Sequence, residues 1–223
     1  MITTEESIWD RREANPSEII SDRLYNVMIG LTLLWGFAVN YLMVQNIPLA
    51  TVMSVPYWVL IVGYFVSAFT GMMIYTRSDK PLYSFFGYNL VVIPIGILLV
   101  PILHQFDSNL IQRALAATGA VTTTMMMLGG AYPKFFLSMG RVLGLTLILA
   151  ILFEVGMMFF GGGSPNFMDW VVAIIFCGYI GFDWARANMI PKTLDNAIDS
   201  AAALYLDIIN LFLRILNILS RSE

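Results

Sequence analysis

Two long stretches of this sequence, residues 24–76 and 81–106, contain no Asp, Glu, Lys or Arg. A helix needs about 20 mostly apolar residues to cross the hydrocarbon core of a bilayer. The first stretch therefore holds two crossings and the second holds one. Composition agrees: 58% of the residues are hydrophobic and 12% charged, about half the charged share of ordinary soluble domains. The expected fold class is all-α, a polytopic membrane protein.

Seven spans are expected, at 24–43, 56–75, 83–103, 114–131, 142–160, 168–188 and 194–219. The breaks between them carry helix-stopping residues such as Pro48, Pro81, Pro133, Gly161 to Pro165 and Pro191. The connections are short, which predicts one seven-helix domain over 24–219 between tails at 1–23 and 220–223. Basic residues set the orientation. Arg11, Arg12, Arg23, Arg77, Lys80, Lys134, Arg141, Arg186 and Lys192, nine of the 12, fall on one side. The positive-inside rule makes that side the cytosol and places the amino terminus there. The last helix either crosses fully or re-enters.

Several function classes drop out. A net charge of −3 without a basic run gives nucleic acid no handle. Cys177 is the single cysteine, so no intrachain disulfide forms and a zinc site is disfavoured. His104, the single histidine, lies in a loop without clustered partners, which argues against serine or metal catalysis. Residues 1–23 lack the basic start and apolar run of a secretory signal, so the first span reads as an uncleaved anchor. The fourth span is rich in Ala, Gly and Thr and reads as a packing helix. Met125 to Met127 read as adaptable packing rather than a metal box.

Glu154, Asp183 and Asp207 fall within apolar segments, where an ionised group costs about 2.5–3.5 kcal/mol or more. Such residues face the bundle interior and serve a pathway, a proton relay or a structural pair. On the last helix Asn196, Asp199, Asp207, Asn210, Arg214, Asn217 and Arg221 fall within an arc of about 80° at 100° per residue. That stripe must face other helices or a water-filled cavity. The plain structural reading is that Asp207 and Arg214 pair across two turns. The alternative starts from depth: Asp183 lies roughly 8 Å below the cytosolic end of its span and Asp207 about 10 Å below the same surface. At one level and out of water, the two carboxyls cannot both ionise cheaply and share a proton as a coupled unit. Deprotonated, they attract a cation. Two aspartates supply too few oxygens for a tight calcium cage, so Asp183 and Asp207 form at most a weak calcium site, which suits permeation. No other cofactor is expected.

Gly181-Phe182-Asp183, followed by Ala203-Leu204-Tyr205-Leu206-Asp207-Ile208-Ile209-Asn210-Leu211-Phe212, resembles the signature of the transmembrane Bax inhibitor motif family (Bax inhibitor-1-like proteins), its bacterial branch in particular. The usual wording there is a Tyr-Asp pair and then "LYLDFINLF". The resemblance implies six helices around a central, polar-striped seventh, in the bacterial cytoplasmic (inner) membrane. It also implies that Asp183 and Asp207 form a pH-responsive pair gating a calcium leak. A basic residue ending the second span latches onto the first aspartate in such proteins, and Arg77 matches it. There are departures. Phe182 lacks the hydroxyl of the customary Tyr, the second span carries no carboxylate, and Glu154 lies outside the family pattern. Glu154 is either an interior partner for a basic or polar group or a change in the charge of the pathway.

The function expected is therefore a pH-sensitive leak for calcium or other cations, with Asn210, Arg214 and Asp199 as a supporting polar stripe. The alternative is an interaction protein: some bacterial relatives associate with a membrane-anchored ATP-dependent protease through the amino-terminal tail. An intramembrane aspartyl protease is the third reading. It is disfavoured because Asp207 lacks a preceding Gly-x-Gly and no Pro-Ala-Leu follows. The chain is not expected to be an enzyme.

Overall fold

The computed structural model describes residues 16–160 and 165–222. Most of the tail expected at 1–23, with Arg11 and Arg12, lies outside the described residues, as do 161–164 and Glu223. The described residues form a 3-10 turn (Pro16–Glu18) and helices α1 (Asp22–Asn46), α2 (Leu49–Met53), α3 (Tyr57–Arg77), α4 (Pro81–Leu103), α5 (Ser108–Ala131), α6 (Pro133–Ser138), α7 (Gly140–Phe159), α8 (Asn166–Ala187) and α9 (Leu194–Ser220). Seven of them, all but α2 and α6, are long and apolar enough to cross a membrane. Their number and order agree with the expected spans. Leu34, Phe65, Leu149 and Leu152 are exposed, an outward apolar surface suited to lipid rather than water.

Helix starts follow capping groups more closely than apolar content. α5 begins at Ser108, six residues ahead of the expected 114, because the Asp107 carboxylate accepts from Asn109 N at 3.0 Å. An N-cap of this kind satisfies a backbone N–H that the helix leaves open, and Arg113 is carried inside the helix. Ser21 caps α1 in the same manner through Leu24 N, at 3.3 Å. The first break also contains α2, which the apolar pattern did not reveal.

The helices fall into two compact units, residues 1–105 with 189–202, and 106–188 with 203–223. In the first, α3 and α4 meet at Gly71 and Gly87. A Cβ on Gly71 would strike the Gly87 carbonyl, and one on Gly87 would lie 2.6 Å from the Gly71 oxygen. Small residues allow this backbone approach where lipid supplies no hydrophobic drive. Polar side chains on α1 and α4 satisfy one another: Tyr88 Oη donates to Thr32 O at 3.0 Å, Asn40 Nδ2 to Val92 O at 3.0 Å and Trp35 Nε1 to Asn89 Oδ1 at 3.0 Å. The start of α9 is tied in by Ser84, which donates to Asp195 Oδ1 at 2.6 Å, and by Tyr25 Oη, 3.0 Å from Ser200 Oγ. The entering chain is fastened as well. Ile20 N donates to Lys192 O at 2.8 Å, and Lys192 Nζ lies 2.9 Å from Asp22.

The second unit packs α8 against α5, α6 and α7 through glycines. A Cβ on Gly129 of α5 would strike the carbonyl of Gly181 on α8, one on Gly178 would lie 2.6 Å from Leu143, and Gly140 faces the Phe182 ring. These contacts fix α8 closely at the level of Asp183, two residues beyond Gly181.

Candidate functional site

Two polar clusters lie within the second unit, both between α8 and residues 203–222. The first is the aspartate pair. Asp183, in the last turns of α8, and Asp207 on α9 face each other side chain to side chain, within reach of a hydrogen bond. A carboxylate has no donor, so a bond between them forms only with a proton on one of the two acids. Asp207 is 6% exposed and Asp183 is partly buried. Asp207 Oδ2 is buried without a hydrogen-bond donor from the protein, and an acceptor left in this way calls for a proton, a water or a cation. Tyr179, one turn before Asp183, lies within electrostatic range of both acids, and Arg186 within range of Asp183. Phe182 turns its ring toward Gly140 on α7.

The second cluster is made of ion pairs. Arg214 Nη1 donates to Glu154 Oε1 at 2.6 Å and Nη2 to Glu154 Oε2 at 2.7 Å, a two-pronged grip across α9 and α7. Nη1 also reaches Asp169 Oδ1 at 3.0 Å on α8. Arg221 Nη1 donates to Asn166 Oδ1 at 2.8 Å and lies 2.9 Å from Asp169 Oδ2, the latter an ion contact without hydrogen-bond geometry. Asp169 is 1% exposed. It stands in the first turn of α8, where a negative charge also complements the helix dipole. Partners run antiparallel: as position on α8 falls from 183 to 169, position on α9 rises from 207 to 214 and 221.

The stripe expected on α9 is thus divided among local partners. Asp207 meets Asp183, while Arg214 meets Glu154 and Asp169 in place of the two-turn pairing with Asp207. Asn210 turns its amide back to Leu206 O, at 2.7 Å. Asp199 lies on the part of α9 that belongs to the first unit, and Arg77 closes α3 in that unit. Glu154 on α7 pairs with the guanidinium of Arg214. Asp169 escaped the sequence reading because it sits at the edge of the expected sixth span and looks interfacial. The signal was present: it precedes Asp183 by 14 residues, close to four full turns, and so shares its face. Among the described residues no group of three or more His, Cys, Asp or Glu could hold a metal ion.

Seven apolar spans with acid and ion-pair clusters inside one helical unit define a polytopic membrane protein that keeps charge within its interior. The chain belongs to the Bax inhibitor-1 family: the family model described as "Inhibitor of apoptosis-promoting Bax1" matches residues 19–223. It is similar to an uncharacterized protein of Helicobacter pylori, 30% identical over 169 residues that make up 73% of this chain and 70% of the relative. It is also similar to Protein LIFEGUARD 1 of Arabidopsis thaliana, 31% identical over 144 residues, 59% of this chain and 60% of the relative. A BI1-like protein of the same plant is 40% identical over 93 residues, 40% of this chain and 36% of the relative.

Proposed function

We propose that this protein is a pH-sensitive leak for calcium and other cations in a bacterial cytoplasmic membrane, with its amino terminus in the cytosol. The observation that carries the reading is the facing pair Asp183/Asp207, with Asp207 Oδ2 buried and without a donor. With one shared proton the pair ties α8 to α9. Once that proton leaves, two carboxylates face each other out of water, and their repulsion parts the helices at this level. The same two charges then draw a cation, weakly enough to let it go. Arg77 is the proposed latch that engages Asp183 when the pair is ionised. The pair acts here as a gate and not as a catalytic dyad.

The sign follows from that sequence of events: flux rises with pH. Calcium entry into proteoliposomes, followed across a pH series, tests it. Asp207→Asn keeps the size and hydrogen-bonding ability of the side chain but has no proton to lose, so its flux should become nearly independent of pH. A wild-type leak no larger than that of protein-free vesicles removes the reading.

A second role is favoured by one observation. The chain leaving the tail is fastened at Ile20 and Asp22 to Lys192, in the connector between the two aspartate-bearing helices. A partner that grips the tail, such as a membrane-anchored protease, would act on that connector. Co-purification of a partner that is lost on deleting residues 1–15 would support it.

A further inference from the structure

We infer that Glu154 sets charge selectivity: by gripping Arg214 it cancels a fixed positive charge on the α9 stripe that carries Asp207. The inference rests on the leak reading above. Asp207 and Arg214 are seven residues apart, which places them about 10 Å apart along the axis and within about 20° in azimuth. A cation leaving Asp207 along this stripe meets Arg214 next. A guanidinium does not deprotonate in a protein, so its charge can be removed only by a partner. Glu154 takes both Nη atoms of Arg214, at 2.6 and 2.7 Å, while Asp169 touches both Arg214 and Arg221. Two carboxylates thus face two guanidiniums, and losing either acid raises the local charge by one unit. Neither side chain of the main pair is sealed off, with 21% of Glu154 and 23% of Arg214 exposed.

The full-length protein in proteoliposomes decides the matter with two probes: a calcium-sensitive dye inside the vesicles, and the reversal potential across a potassium chloride gradient. The second reads the ratio of cation to anion permeability, which a merely structural role leaves unchanged. Wild type should prefer cations. Glu154→Gln should cut calcium flux about tenfold or more, as expected for one uncancelled charge about 10 Å from a divalent ion, and move the reversal potential toward that of chloride. Glu154→Asp should keep the wild-type ratio, and Glu154→Gln with Arg214→Gln should restore it. If Glu154→Gln fails to reconstitute, Asp169→Asn removes the same unit of charge and should give the same shift. A cation-selective wild type whose ratio is unaltered in Glu154→Gln, or in Asp169→Asn where that variant stands in for it, overturns the inference, whatever happens to total leak. A wild type no leakier than empty vesicles overturns the leak reading and this one with it.

Discussion

Gly129 and Gly119 both lie on α5, yet the same substitution should affect them in opposite directions. A Cβ on Gly129 would strike the Gly181 carbonyl, which is backbone and cannot step aside, whereas nothing lies within 4 Å of a Cβ on Gly119. Gly129→Ala should therefore destabilise by about 1–3 kcal/mol, as overpacking does. Gly119→Ala should be neutral or stabilise by up to about 1 kcal/mol through the unfolded chain. Thermal unfolding in detergent distinguishes the two. Residues of this kind differ in how far a sequence betrays them. Asp183 and Asp207 were legible because a charge inside an apolar run is costly and needs a reason. The difference between Gly129 and Gly119 was not, since it depends on which neighbouring helix comes within touching distance. The fate of Glu154 was equally hidden: its partner lies 60 positions away, and no local pattern connects them.

At the scale of the element, α9 shows what a buried ion network costs when half of it is removed. Arg214→Gln leaves Glu154 and Asp169 facing each other with Arg221 as the remaining cation described at the cluster. That should destabilise by about 3 kcal/mol, the low end of what breaking a buried pair costs, because the pair here is only partly buried. Adding Glu154→Gln should recover part of the loss, a coupling that a double-mutant cycle on detergent unfolding reads directly. Equal and additive losses would mean that the two side chains do not interact. The helices themselves were readable from hydropathy, since lipid demands long apolar runs. Their starts were less so, because α5 begins where Asp107 caps it and α2 is a single short turn placed between two prolines, Pro48 and Pro56.

At the scale of the whole molecule the sequence predicts a sided protein. α9 has 27 residues, about 40 Å of helix against a hydrocarbon core of about 30 Å, which is length enough to cross. If the amino terminus lies in the cytosol, as proposed, seven crossings would bring residue 222 to the opposite face. In a Cys177→Ser background, an impermeant thiol reagent added outside intact cells should label Gln105→Cys and Ser222→Cys but not Asp79→Cys. The reverse pattern would invert the topology. The spacing of the partners on α9 has one more consequence. Asp207, Arg214 and Arg221 follow each other at intervals of two turns, each already committed to a side chain elsewhere in the second unit. One extra residue inserted between Asp207 and Arg214 would swing everything beyond it through about 100°, so the acid pair or the arginines would keep their partners, but not both. The stretch from 207 to 221 is therefore a ruler that cannot be recut by one residue without releasing one set of partners.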